Sequence, residues 1–88
     1  MFYSLLNINK DIIYVDRSET GIVMMIGDTI SVFADVEALI WEMLEQGRTQ
    51  KQIVDSLCNE YSDENCEEIS KDVSSFIASL LEANLISL

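Results

Sequence analysis

Sixteen acidic side chains, five basic ones, two cysteines and no histidine make up the reactive inventory of this 88-residue chain. Lacking histidine, it has no group of the kind that most often serves as a general base at neutral pH. The densest acidic group, Asp63, Glu64, Glu67 and Glu68, has neither the alternating oxygen ligands nor the central glycine of a calcium loop. Glu67 and Glu68 instead fit the first turn of a helix, where the dipole favours acids. Cys58 and Cys66 lie eight residues apart with no histidine to complete a zinc site, and two thiols alone bind zinc poorly. Cys58 has the spacing of an apolar helix position and reads as a small core residue, and Cys66 reads as lying near the surface. Gly21, Gly27 and Gly47 are too far apart to form a phosphate-cradling loop. These residues predict no catalytic residue, no metal and no cofactor, so the chain reads as a binding module and not an enzyme.

The charge balance narrows the partners. A formal net charge of -11 repels a phosphate backbone and an anionic membrane surface. Residues 34–88 hold twelve of the acids and three of the bases, and most of these acids read as solvated helix faces that keep the chain soluble. No run reaches the roughly 18 to 20 consecutive apolar residues of a membrane span. The opening Met1-Phe2-Tyr3-Ser4-Leu5-Leu6 lacks the basic leading region and small-residue cleavage site of a secretory signal, which predicts a cytoplasmic protein.

The elements that must carry any binding site follow from periodicity. Ile12-Ile13-Tyr14-Val15, Ile22-Val23-Met24-Met25-Ile26 and Ile30-Ser31-Val32-Phe33 are rich in β-branched residues and predict three strands. Gly27-Asp28-Thr29 suits a hairpin connection between the last two, and the polar stretch from Asp16 to Gly21 suits a turn between the first two. Val36, Leu39, Ile40, Met43 and Leu44 then form an apolar helical stripe opened by Asp35 and closed by Gly47, with Trp41 beside it as an anchor between helix and sheet. Thr49 and Gln52 have the form of a capping box for a second helix, with Ile53, Val54, Leu57, Cys58 and Tyr61 at core spacing. Ser62 to Asn65 breaks that pattern. Ile69, Val73, Phe76, Ile77, Leu80 and Leu81 make the apolar face of a third helix, with Asn84 as a left-handed cap before Leu85-Ile86.

With 49% hydrophobic residues the chain can close one core, so residues 1–88 form a single domain. Its class is α+β and winged-helix-like, a three-stranded antiparallel sheet followed by three helices. So small a sheet must leave an outer strand with unpaired backbone groups. The strand from Thr29 to Phe33 has no charge and no proline, and it is apolar enough to pair with an incoming peptide by strand addition. A strand internal to the sheet, or covered by a helix or a dimer partner, fits the same residues, and both readings stay open on the residues alone.

Several runs carry a family resemblance when taken together. They are Phe33-Ala34-Asp35 to Ile40-Trp41, Leu44-Glu45-Gln46-Gly47-Arg48-Thr49, Ile53 to Leu57, Asp72-Val73 to Phe76-Ile77, Leu80-Leu81 and Leu85-Ile86. In order and spacing the chain resembles the PqqD family, whose pattern is an Ile-Trp pair, a helix-ending glycine before a threonine cap, an Asp-Val helix and a terminal Leu-Ile. It departs at Phe33-Ala34, where many relatives carry Leu-Asn, a difference that bears on ligand specificity more than on fold.

The resemblance implies a RiPP recognition element, which binds the leader segment of a ribosomally made precursor peptide and presents it to a processing enzyme. In that family the leader adds as an antiparallel strand to the third strand and lies in a groove between it and the third helix. Carried over, the backbone of Thr29, Ile30, Ser31, Val32 and Phe33 would supply the ladder. Side chains of Ile69, Asp72, Val73, Phe76 and Ser79 would form the far wall, with Asp72 pairing with a basic leader residue. Free-standing members serve either the leader protease of lasso-peptide pathways or a radical SAM enzyme in pyrroloquinoline quinone synthesis. The resemblance thus implies action in trans, with lasso-type service favoured and the quinone pathway as the alternative. Two readings of other classes remain, a dimerisation domain and a winged-helix DNA-binding domain, the latter against only Lys51 and Lys71 on the second and third helices.

Overall fold

A computed structural model describes residues 6–18, 21–61 and 65–87 of the chain. Its elements run β1 (Asn7–Ile8), β2 (Ile13–Arg17), β3 (Gly21–Ile26), β4 (Thr29–Ala34), α1 (Val36–Glu45), α2 (Gln50–Glu60), α3 (Cys66–Glu82) and β5 (Ile86–Ser87). The expected architecture is present as an antiparallel sheet of order β2-β3-β4 followed by three helices. A small second sheet joins the two ends of the chain, with Asn7 opposite Ser87 and Ile8 opposite Ile86. No pattern in the sequence announced it, because two-residue strands are too short to show a period. Its clamp is completed by Asn9, whose backbone N–H donates to Leu85 O at 2.9 Å and whose side-chain amide donates to Asn84 O at 2.8 Å.

The β3–β4 turn is shorter than the three-residue connection expected, because Thr29 pairs with Ile26. Only Gly27 and Asp28 remain in the turn, and Gly27 takes φ +56°, the left-handed region a tight hairpin requires. β2 runs on through Asp16 and Arg17, two of the residues read as turn, with a register shift between Tyr14 and Asp16. The rest of that turn includes Glu19 and Thr20, which lie outside the described residues.

Helix ends follow their side chains closely. Thr49 Oγ1 accepts from Gln52 N at 3.2 Å while Gln52 Oε1 accepts from Thr49 N at 2.9 Å, completing the capping box. Gly47 (φ 82°) and Asn84 (φ 62°) each occupy the left-handed position after a helix. Behind them Arg48 N donates to Met43 O and Leu85 N to Leu80 O, the closing bonds of Schellman ends. Asp35 stands at the start of α1 with φ 54° and makes no side-chain cap bond, so it turns the chain from strand to helix without capping it. α3 starts at Cys66, one residue before the acids expected in its first turn, and Asn65 Oδ1 caps it by accepting from Glu67 N at 2.8 Å.

The core lies between the inner face of the sheet and the three helices. Ile22, Met24 and Phe33 of the sheet meet Trp41 of α1, Ile53 and Leu57 of α2, and Val73, Ile77 and Leu80 of α3, all buried. Trp41 is fully buried and acts as the expected anchor, 5.7 Å from the Phe33 ring, with its Nε1–H donating to Tyr14 Oη at 3.1 Å. A buried indole N–H without such a partner would cost about 1–3 kcal/mol. No helix among the described residues is long and apolar enough to cross a membrane.

Cys66 is exposed as expected, but the reading of Cys58 as a plain core residue is overturned. Cys58 and Cys66 form a disulfide, with Cα atoms 5.6 Å apart. The bond ties the last turn of α2 to the first residue of α3. Ser62, Asp63 and Glu64, within the stretch read as breaking the helical pattern, lie outside the described residues.

Candidate functional site

β4 is the outer strand on its side of the sheet, paired to β3 alone among the described residues. In an antiparallel ladder the hydrogen-bonded and non-bonded pairs alternate, and a two-residue hairpin is closed by a bonded pair. Counting from Ile26 opposite Thr29, the residues Thr29, Ser31 and Phe33 spend their backbone groups on β3. Ile30, Val32 and Ala34 turn theirs outward along the edge. The same alternation sends Phe33 into the core and leaves the side chains of Ile30 and Val32 on the outer face, 63% and 62% exposed. Ile13 and Val15 of β2 share that face and are similarly exposed.

At the end of β4, Asp35 leads directly into α1, whose first turns face α3 across a groove. Val36 and Ile40 line it from α1, and Ile69, Asp72 and Val73 from α3. Leu57 and Tyr61 of α2 and the rim residue Glu68 complete this section, a hollow of about 290 Å³. A shallower continuation of about 410 Å³ follows α3 past Ser75, Phe76 and Ser79, with Glu37 opposite. Phe76 stands edge-on to Phe33 at 5.0 Å between ring centroids, so the wall of the groove and the inner face of β4 share one aromatic contact.

Of the residues expected from sequence, Ile69, Asp72, Val73, Phe76 and Ser79 are therefore brought to one groove. Val73 is almost fully buried and belongs to the floor, leaving Ile69 and Phe76 as the half-buried apolar surface and Asp72 and Ser79 exposed. Thr29, Ile30, Ser31, Val32 and Phe33 line neither hollow, and only their strand borders the site. The sequence reading placed Val36, Ile40, Leu57 and Tyr61 in helix cores and did not foresee them in the groove. The one hint was position, since Val36 begins its stripe and Tyr61 ends its own.

At the other edge of the sheet a polar chain fastens β2 to α1. Tyr14 Oη donates to Glu45 Oε2 at 2.9 Å, and Arg17 forms a two-pronged pair with the same carboxylate, its guanidinium 5.2 Å from the Tyr14 ring centre. The Arg17 hydrogen bonds hold the Glu45 carboxyl below its ordinary value, outweighing partial burial, which pushes it up. Partial burial pushes the Tyr14 phenol up, against the Trp41 N–H it accepts. These groups are committed to each other, and none of them lines either section of the groove.

Comparison with known proteins agrees with this architecture. Residues 21–86 match the PqqD family, described as coenzyme PQQ synthesis protein D. A solved structure, TbiB1 in complex with the TbiA(beta) leader peptide, superposes with a TM-score of 0.83. The two are 24% identical, over 92% of this chain and 94% of that one, which establishes a shared fold. No curated protein sequence matches the chain.

Proposed function

The chain belongs to the PqqD family, and we propose that it binds the leader segment of a ribosomally synthesised precursor peptide and presents it, without catalysis of its own, to a processing enzyme. The observation that carries this reading is the β4 edge. Ile30, Val32 and Ala34 offer outward backbone groups on an uncharged strand whose end opens onto an apolar groove. An added strand satisfies those groups while its alternate side chains reach toward α3. That a protein of the same fold is solved with a leader peptide supports the reading. Service to a leader protease, as in lasso-peptide pathways, is the favoured partner relation, and service to a radical SAM enzyme of quinone synthesis is the alternative.

α3 bears the single base Lys71 among Glu67, Glu68, Asp72 and Glu82, which argues against a recognition helix for DNA. The test is titration of the protein with the leader of a precursor encoded beside its gene, followed by fluorescence anisotropy. Saturable binding is expected, and equal binding of a sequence-scrambled leader would contradict the proposal. Adding the neighbouring protease or radical enzyme then identifies the partner by which reaction the loaded protein accelerates.

A further inference from the structure

Between Leu57, the last buried residue of α2, and Val73, the first of α3, no described side chain is fully buried. The apolar contact of this stretch with the core is Ile69, itself half-buried. A segment with so little burial opens at low cost in free energy. It nevertheless supplies Tyr61, Glu68, Ile69 and Asp72, four of the eight residues around the deeper section of the groove. Among the described residues, the side-chain hydrogen bond that joins the two helices, from Gln50 Nε2 to Ser74 Oγ at 2.7 Å, lies outside it. What closes the segment covalently is the Cys58–Cys66 bond.

The chemistry of that bond makes the closure conditional. The chain has two cysteines, so within one molecule each has only the other to bond with. Disulfides persist in oxidising surroundings and are rare where thiol reductants are maintained. Cys66 is exposed, so a thiolate can reach the bond. A dithiol reductant attacks one sulfur to form a mixed disulfide, and its second thiol then displaces that sulfur. Two electrons and two protons pass to Cys58 and Cys66, which are left as thiols, and the reductant becomes a disulfide.

We propose that the Cys58–Cys66 bond is a redox switch for the groove, holding the corner between α2 and α3 in place when formed and releasing it when reduced. In the oxidised protein the groove is preformed. In the reduced protein the wall from Tyr61 to Asp72 is in place for only a fraction of the time, and apparent affinity falls by that fraction. The rest of the fold keeps its core, because every described buried residue lies outside 58–72. This inference rests on the peptide-binding reading and adds to that site a means of regulation.

The test compares the protein oxidised with glutathione disulfide, the same protein reduced with dithiothreitol, and the double variant Cys58→Ser with Cys66→Ser. Each is followed by amide hydrogen exchange and by titration with the leader encoded beside its gene. Two amides report on the corner. Tyr61 N–H donates to Leu57 O at 2.8 Å and Ile69 N–H to Asn65 O at 3.1 Å, the closing bond of α2 and the opening bond of α3. On reduction both should exchange at least about tenfold faster, while the core amides of Leu57 and Ile77 stay within about twofold. Leader affinity should fall at least about fivefold. The double variant should match the reduced protein and ignore dithiothreitol, which separates the bond from other effects of the reductant. Two free thiols after oxidation, unchanged exchange at Tyr61 and Ile69, or equal leader affinity in the two states overturns the inference and leaves peptide binding standing. Absence of leader binding in both states overturns the peptide-binding reading together with the inference.

Discussion

Along β2 the sheet's edge carries Asp16 and Arg17, breaks its register between Tyr14 and Asp16, and is tied by Arg17 to Glu45 of α1, whereas along β4 it is uncharged and keeps an unbroken register from Thr29 to Ala34. Charges, bulges and covering contacts are the usual means by which a sheet edge is kept from pairing with other chains. One edge of this sheet has all three and the other has none. Side-chain hydrophobicity does not separate them, since Ile13 and Val15 are as exposed as Ile30 and Val32. The difference lies in the charges, the register shift and the Arg17 tie, and under the proposed reading it leaves β4 as the edge that receives a ligand strand.

The comparison can be broken most sharply with proline. Val32 turns its N–H outward, so Val32→Pro deletes a donor to the added strand while sparing the ladder to β3. Loss of that bond, with an unsatisfied peptide carbonyl left behind, costs about 1–3 kcal/mol, so leader affinity should fall about fivefold to 150-fold by calorimetry. Val15→Pro, at the register shift of the blunted edge, should leave affinity unchanged. Equal losses in both variants would mean that the edges are not distinguished by pairing.

A smaller effect separates the groove wall from the edge. Phe76 is half-buried and stacks edge-on against Phe33, so Phe76→Ala removes core contacts as well as groove surface. We expect a loss of about 1–3 kcal/mol in urea unfolding, below the 3–5 kcal/mol typical of a fully buried phenylalanine. For the same reason Phe76→Asp damages the fold and the groove together and is a poor test of binding alone.

The smallest effect concerns what fastens β2. The Glu45 carboxyl is held below its unfolded value, so its contribution is present above that value and disappears as the pH falls through the lowered one. Both partners are partly exposed, which limits the pair to less than about 1 kcal/mol. Glu45→Gln should therefore be slightly less stable than the parent chain at pH 7, with the gap narrowing as the pH falls below the ordinary carboxylate range in urea titrations. A gap that stays constant with falling pH would assign the role of Glu45 to packing and not to its charge.

Much of this arrangement was legible in the residues because local chemistry decides it. Thr49 with Gln52 specifies a capped helix start, and Gly47 and Asn84 specify left-handed ends, whatever the rest of the chain does. The run from Thr29 to Phe33 was visible as uncharged and apolar, but its place at the outside of the sheet depends on strand order, which no local pattern encodes. The β1–β5 pair and the Cys58–Cys66 bond were illegible because each depends on how distant or turning segments fold back. The groove lining was not foreseen because Val36 and Ile40 come from α1 and Leu57 and Tyr61 from α2 and its end. Ile40 and Leu57 are buried as their core spacing predicts, and only the packing of the helices shows that all four border one hollow.

The central claim is that β4, and not β2, receives the ligand strand, and amide hydrogen exchange by NMR on the uniformly labelled protein tests it most directly. With the cognate leader bound, the amides of Ile30, Val32 and Ala34 should slow by at least about tenfold while those of β2 keep their free-state rates. Protection along β2, or tight binding with the three β4 amides still exchanging at their free rates, would contradict it.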